Sequence, residues 1–276
     1  MTITTYADYK AKIEAAQYKY PFMISSTTTV ANKLMSTWTA APDAGATPST
    51  AAACSRSTAG NKLIGMNGTV TNPLYIAQIE AGTGTSSIFS YWLCDRLSHQ
   101  GGLAGNISGS EQTTNLPTAA LPRYTSGVGV FIGLEIYTVI GTGTSVATVR
   151  YTNSGGTGSR TTKGVDIGAT GNREAGRFII CPLQDDDVGV DSVEGVTLTG
   201  STATAGNFGV TLFRPLCMVP TLALQNQMLN GGYRDMMTSS GGGALVEIED
   251  DACIFALIMT PATGHTLQGT ITLIEG

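Results

Sequence analysis

Apolar side chains alternate with small or polar ones along much of this chain, a period-two pattern typical of half-buried β-strands. The clearest example is VGVFIGLEIYTVI at 128–140, where one face carries Val128, Val130, Ile132, Leu134, Ile136 and Ile140. Similar runs are SIFSYWL, SVATVRYTN, GRFIICPL, EGVTLTG, NFGVTLFRPL, LVEIE, CIFALIM and GTITLIE. Because turns rich in Gly, Ser and Thr separate them without intervening helices, we predict a mainly β fold, an antiparallel β-sandwich or jelly-roll-like arrangement.

Glycines add two local predictions to this strand pattern. GTGT at 141–144 separates VGVFIGLEIYTVI from SVATVRYTN, which predicts a β-hairpin. Gly127, Gly129 and Gly133 lie on the face opposite the apolar one, where they leave room for a close backbone or a covering sheet.

The N-terminal stretch has a different, helical period. Its apolar face holds Tyr6, Tyr9, Ile13, Ala16 and Tyr20. Thr5 is the predicted N-cap, with Asp8 three residues on, and Pro21 is predicted to end the helix.

After the helix, the segment Met35–Gly60 is rich in Ala, Pro, Ser, Thr and Gly and has little periodicity, which indicates a long irregular arm. We therefore divide the chain into residues 1–60, a short N-terminal helix and an extended arm making assembly contacts, and residues 61–276, the β-sandwich. The length allows the latter to be one domain or two packed subdomains. Residues 220–240 are compatible with a short helix and loop.

Charged residues make up only 13% of the chain, about half the usual ~25%. With 40 Thr and 35 Gly, this implies strands whose outer faces are coated with hydroxyls and repel neighbours weakly. Such a surface suits a protein that packs against copies of itself or other partners, although an ordinary extracellular β domain has the same composition.

The charge and hydropathy patterns argue against two classes of partner. The net charge is −5 and basic runs are absent, so nucleic acid is not an expected partner. No apolar run approaches 18 residues, so no membrane contact is expected. The start, MTITTYADYKAKIEAAQ, lacks the features of a signal peptide.

The stretch WLCDRLSHQGG is the strongest candidate for catalysis, since it holds Cys94, Asp95, Arg96, Ser98 and His99. An enzyme would need Cys94, Asp95 and His99 to converge, whereas strand alternation points Cys94 and Asp95 to opposite faces. We expect Asp95 and Arg96 to pair or bind loop backbone, and His99 to cap a turn at 100–102. Burial after an aromatic strand would raise the pKa of Cys94 and leave it unreactive.

Other candidate sites are weaker. The acidic run QDDDVGVDSVEG could offer Ca²⁺ the oxygens of Asp185, Asp186, Asp187, Asp191 and Glu194, but its spacing is not that of an EF-hand, and a solvated turn is expected. His265 is predicted in a hairpin turn. The five cysteines form no CxxC, and the glycine-rich loops lack GxxxxGK[ST]. We assign no catalytic, cofactor-binding or metal-binding residue and expect no cofactor.

Several long segments carry a family resemblance. CDRLSHQGGLAGN, LPRYTSGVGVFIGLEIYTVIGTGTSVATVRYTNSGGTGSR, DVGVDSVEGVTLTGSTATAGNFGVTLFRPL and TWTAAPDAGATPSTAA together resemble a family of virion structural proteins of tailed bacteriophages. The resemblance runs from about Trp38 to Pro215.

This resemblance implies a non-enzymatic capsid decoration or cement protein, localised to the virion. The expected partners are itself, as a homotrimer, and the major capsid protein or other virion proteins. The alternative is a neck, tail or fibre module binding another virion protein or a host-surface glycan, for which Trp38 and Tyr233 are the candidate exposed aromatics. An enzyme is the third hypothesis.

The sequence predicts that a chain lacking residues 1–60 keeps a folded β domain but no longer assembles. Circular dichroism of the truncated protein and its binding to phage heads would check this. Normal decoration by the truncated chain would contradict the arm hypothesis.

Overall fold

The computed structural model describes residues 3, 5–15, 18–27, 30–41, 43–62, 72–83, 89–221, 246–260 and 265–276. Over these ranges the chain is mainly β, with one helix, α1, at Tyr6–Ala15. The strand pairings described are all antiparallel, which confirms the predicted antiparallel β-sandwich. The jelly-roll arrangement stays a prediction. Among the described residues, no helix has the length and apolarity needed to cross a bilayer.

Of the sixteen described strands, period-two alternation predicts nine, namely those from Phe89 onward except Glu111–Leu116, Arg160–Thr161 and Val165–Gly168, and it misses seven. In chain order the sixteen strands are β1 (Tyr18–Thr27), β2 (Lys33–Ser36), β3 (Ala52–Ala53), β4 (Leu74–Thr83), β5 (Phe89–Leu103), β6 (Glu111–Leu116), β7 (Phe131–Thr138), β8 (Thr144–Asn153), β9 (Arg160–Thr161), β10 (Val165–Gly168), β11 (Phe178–Cys181), β12 (Val190–Leu198), β13 (Asn207–Thr221), β14 (Glu247–Ile248), β15 (Ile254–Thr260) and β16 (His265–Glu275).

These strands form three sheets. The four-stranded sheet has the order β1-β16-β4-β14, and the five-stranded sheet has the order β10-β8-β12-β6 with β9 on β8. The central sheet has seven strands, in the order β11-β7-β13-β5-β15-β2, with β3 also paired to β5. The long strands β5 and β13 pair along most of their lengths and join the two ends of the central sheet.

The central sheet takes part in three hydrophobic cores; one packs Trp38 and Cys54 against Phe213 and Phe255, and the other two join the central sheet to another sheet. One core joins the four-stranded sheet to β5 and β15, with Tyr91 and Ile254 among its buried side chains. The other joins the five-stranded sheet to β7 and β13, and contains the predicted apolar face Ile132, Leu134 and Ile136. Because both of these cores use the central sheet, this sheet connects the four-stranded sheet to the five-stranded sheet.

Residues 37–62 cover the opposite face of the central sheet. The predicted arm is largely irregular, as expected, but it lies against its own chain rather than extending from it. The backbone N–H of Thr37 donates to Ala256 O at 3.0 Å, and that of Lys62 donates to Ile254 O at 2.7 Å. Both bonds anchor the segment to β15. Its predicted role in assembly contacts stays a prediction.

Trp38 is the anchor of this segment. Its side chain is fully buried, and its Nε1 donates to Ala46 O at 2.9 Å. A Cβ on Gly45 would lie 2.1 Å from Cε2 of the indole, and one on Gly60 would lie 2.6 Å from Cζ3. The glycines predicted as features of a loose arm therefore allow the backbone to close around one large aromatic ring.

The N-terminal helix begins as predicted but ends earlier. Asp8 N–H donates to Thr5 Oγ1 at 3.1 Å, and Thr5 N–H donates to Asp8 Oδ2 at 3.1 Å, a reciprocal cap. The helical assignment of Tyr20 and the role of Pro21 as a helix stop are wrong, since both lie in β1. A proline is tolerated there because β1 is an edge strand.

The hairpin predicted around GTGT is also wrong. β7 belongs to the central sheet and β8 to the five-stranded sheet, so the connection crosses from one layer to the other. A β-hairpin and a connection that crosses between sheets have the same strand alternation and turn composition, so only the packing of the strands distinguishes them. The space at Gly133 is filled by a side chain of the same sheet rather than by a close backbone or a covering sheet, since a Cβ there would lie 2.1 Å from Cζ of Phe178 in the paired strand β11.

Replacing Trp38 by alanine is expected to cost about 3–5 kcal/mol of the free energy of unfolding, because the rigid glycine frame cannot close the cavity. Tyr6→Ala is the matched aromatic control, since Tyr6 is 64% exposed; its cost should be within about 0.5 kcal/mol. Urea unfolding measures both.

Deletion of residues 1–60 removes β1, β2, β3 and Trp38 together, so the structure leads us to expect loss of the fold rather than a folded, non-assembling domain. A cooperative unfolding transition in the truncated protein, or equal stabilities for Trp38→Ala and Tyr6→Ala, would contradict this account.

Candidate functional site

The candidate catalytic stretch lies within one strand. WLCDRLSHQGG is part of β5, which continues to Leu103, so the predicted turn at 100–102 is wrong. β5 pairs with β13 on one edge and with β15 and β3 on the other. His99 is therefore buried in a sheet interior and does not cap a turn.

A β-bulge in β5 decides which side chains meet. Phe213 lies opposite Arg96 and Leu212 lies opposite Ser98, so Leu97 is an extra residue in the strand. The bulge shifts the alternation by one. Arg96 and His99 consequently face the same side, although simple alternation over three residues would separate them.

Arg96 is the centre of the cluster on this face. It is fully buried, and its Nη2 lies 2.7 Å from Glu135 Oε2. Nη2 also donates to Tyr137 Oη at 2.8 Å, and Nε donates to His99 Nδ1 at 2.9 Å. The guanidinium stands 4.1 Å from the centroid of the Trp38 ring. These contacts form a charged cluster inside an aromatic frame.

The charge of Arg96 controls the ionisation of its partner. Burial raises the pKa of Glu135, but the charge of Arg96 and its hydrogen bond outweigh burial and hold that pKa below the ordinary value of 4.5. Thr211 Oγ1 also donates to Glu135 Oε2 at 3.1 Å. Glu135 therefore remains a carboxylate, as the buried guanidinium requires.

Asp95 belongs to a separate ion pair. Arg123 donates from Nε to Asp95 Oδ2 at 2.9 Å and from Nη2 to Oδ1 at 2.7 Å, while Cys253 N–H donates to Oδ1 at 2.9 Å. Burial raises the pKa of Asp95, and the bonds from Arg123 oppose that shift. Asp95 and Arg96 thus bind partners distant in sequence rather than each other.

Cys94 takes no part in either cluster of charges. Its thiol donates to Trp92 O at 3.7 Å, and burial raises its pKa well above the ordinary value, as expected from its strand position. Asp95 is bound by Arg123, and His99 accepts from Arg96. The structure therefore does not bring Cys94, Asp95 and His99 into a catalytic arrangement. Ser98 Oγ is buried without a hydrogen-bond partner among the described residues.

Sequence reasoning missed a pair of buried thiols close to the Arg96 cluster, since Cys54 and Cys253 belong to the same buried cluster as Trp38. Interaction with Cys253 is the main cause of a pKa well below the ordinary value for Cys54; burial opposes this shift, and His99 adds to it. No local motif could reveal this interaction, because the three residues come from separate parts of the chain.

The acidic run is used in polar contacts with neighbouring strands. Asp187 accepts hydrogen bonds from Tyr151, Asn153 and Arg160, and Asp185 lies 2.5 Å from Lys163 Nζ. Glu194 accepts from Thr152 and Ser192, while Asp186 adopts a φ of 72°. Asp191 Oδ1 is buried without a hydrogen-bond partner in the described structure, and burial raises the pKa of Asp191. Within the described ranges no three His, Cys, Asp or Glu side chains are grouped to hold a metal ion.

The remaining predicted candidates are dispersed. His265 begins β16 opposite Thr27 rather than lying in a turn. Trp38 is fully buried, so it is not the exposed aromatic that glycan binding would need. Tyr233, and most of the helix and loop predicted at 220–240, lie outside the described residues.

Comparison with known proteins adds little. No family model and no curated protein match the chain. One solved structure, "Structure of infectious bursal disease virus Gx strain", gives 11% identity and a TM-score of 0.13. The match covers 95% of this chain and 41% of that chain, so this chain spans less than half its length. At that TM-score the likeness carries no argument about fold or function.

Replacing Glu135 by glutamine is expected to lower the free energy of unfolding by about 3–5 kcal/mol, because the substitution leaves the Arg96 charge buried without its counter-ion. The matched control is Glu111→Gln. Its partner Arg150 is at 2.7 Å, as in the buried pair, but both side chains are about one-third exposed. We expect that variant to lose about 0–1 kcal/mol in urea unfolding at neutral pH. Equal losses of unfolding free energy in the two variants would contradict the assignment of Glu135 as the buried counter-ion of Arg96.

The same pair makes stability depend on pH. Folding lowers the pKa of Glu135. Ionised Glu135 therefore stabilises the folded protein fully above pH 4.5, and this stabilisation is lost as the pH falls through the folded-state pKa. Wild-type protein should therefore lose more unfolding free energy than Glu135→Gln between neutral pH and about pH 3. Parallel pH profiles would show that Glu135 is not the responsible group.

Proposed function

We propose that this protein is a non-enzymatic structural protein of a tailed-phage virion, most specifically a capsid decoration or cement protein. The observation that carries the proposal is that the charged side chains of WLCDRLSHQGG are occupied by contacts within the fold. Arg96, His99 and Asp95 bind partners inside the sandwich and hold its strands together. These structural contacts favour a structural subunit over an enzyme. The family resemblance of the sequence points in the same direction.

The outer face of the five-stranded sheet supports packing in an assembly. Along β8, the side chains that are not buried include Thr144, Val146 and Thr148, with Arg150 as the charged residue at the end of this series. A face of this kind repels a neighbouring copy weakly. It also leaves hydroxyl groups for polar contacts with a second protein surface.

An exposed apolar patch gives a second line of support. Val188 is 64% exposed and Val128 is 50% exposed, and Gly129 N–H donates to Val188 O at 2.9 Å, so the two side chains belong to neighbouring segments. Apolar side chains grouped at a surface are typical of protein contacts. We propose that this patch and α1 contribute contacts with copies of the chain, in a homotrimer, and with the major capsid protein.

The proposal is tested by counting this chain in purified particles. Quantitative mass spectrometry of virions should find it in a simple ratio to the major capsid protein, as lattice symmetry requires. A copy number equal to a small multiple of six would instead place it in the neck, tail or fibre and contradict decoration. Its absence from particles would overturn a virion role altogether. Host proteins that copurify without a fixed ratio provide the internal control.

A further inference from the structure

Two cysteines from distant parts of the sequence meet at one edge of β5. The backbone N–H of Cys54 donates to Leu97 O at 2.8 Å, and the N–H of Arg96 donates to Cys253 O at 2.8 Å. Cys54 and Cys253 therefore lie beside consecutive residues of the same strand, and both belong to the buried cluster around Trp38 and Phe255. Both side chains are buried. The backbone thus places the two cysteines next to each other along one edge of β5.

The surroundings of the pair favour a thiolate on Cys54. His99 Nδ1 accepts a hydrogen bond from Arg96 Nε, so the proton of a neutral His99 ring lies on Nε2. After Cys253, His99 and the positive charge of Arg96 lower the pKa of Cys54 further. A thiolate next to a histidine and an arginine is the form of cysteine that reacts with oxidants. Cys94, buried without such partners, provides the contrast.

We propose that Cys54 and Cys253 are a peroxide-reactive dithiol that closes into an intrachain disulfide. The Cys54 thiolate attacks one oxygen of hydrogen peroxide, which breaks the O–O bond and gives a sulfenic acid and hydroxide. The Cys253 sulfur then attacks the Cys54 sulfur and expels the sulfenic oxygen. In total, two thiols and one peroxide give one disulfide and two waters.

The oxidant has a short path to the pair. Cys54 lies between the exposed residue Ala53 and the exposed Ser57 of the covering segment. β3, which holds this part of the segment, is only two residues long. Local opening of one layer of chain admits a molecule as small as hydrogen peroxide without unfolding the sandwich.

The bond would fasten the covering segment, residues 37–62, to the start of β15. It closes a loop of roughly 200 residues, and long loops are those in which a cross-link restricts the unfolded chain most. We expect oxidation to raise the thermal midpoint by about 5–10 °C. This inference does not depend on the proposed virion role.

The test uses the full-length protein, reduced and then treated with hydrogen peroxide. Remaining thiols are alkylated in denaturant, and peptides are mapped by mass spectrometry without reduction. The result expected is a Cys54–Cys253 linked peptide, a raised thermal midpoint, and reversal of both by a thiol reductant. In Cys253→Ser, a dimedone probe should label Cys54, because no second thiol resolves the sulfenic acid. Cys94→Ser, which changes a buried thiol of the same core, should still form the link.

Two outcomes would overturn the proposal. One is alkylation of both Cys54 and Cys253 in the peroxide-treated wild-type protein. The other is a disulfide joining a different pair, such as Cys94 and Cys217. Because the wild-type peptide map alone decides between these outcomes and the expected one, the test holds even if a cysteine variant fails to fold.

Discussion

A guanidinium that is always charged lies fully buried in the middle of this protein, and the arrangement around it follows from that fact. A buried charge is tolerated only with a counter-ion and hydrogen bonds in place. Glu135 supplies the counter-ion from β7, His99 accepts from the same strand as Arg96, and Trp38 lies over the cation from the covering segment. The cluster can form only when these parts of the chain are together.

This requirement links the two halves of the sandwich. β5 contributes Tyr91 and Leu93 to one hydrophobic core and Leu97 and Leu103 to the other, while Arg96 lies between them on the opposite face. The covering segment, residues 37–62, then closes that face over the charges. Hydrophobic burial supplies most of the favourable free energy of folding. The ion cluster favours the strand register in which Arg96 meets Glu135, because other registers leave the buried charge unpaired.

The same interior gives a consistent view of function. Side chains capable of catalysis lie close together in WLCDRLSHQGG, but Asp95 and Arg96 bind different partners on different faces of β5. Their chemistry is directed to holding strands and the covering segment in place. A weakly charged β-sandwich with an exposed apolar patch supports the proposed role in assembly, and the proposed disulfide beneath the covering segment would strengthen the sandwich after folding.

The sequence by itself determined the fold class and the positions of most strands, because period-two alternation depends only on which residues face a core. It also determined the helix start, since the Thr5–Asp8 cap is local. Tertiary structure decided the rest. The bulge at Leu97, the crossing between β7 and β8, and the burial of Trp38 all depend on contacts between distant segments. So do the partners of Arg96 and the meeting of Cys54 with Cys253, because sequence patterns record which face a residue prefers but not which strand it will find there.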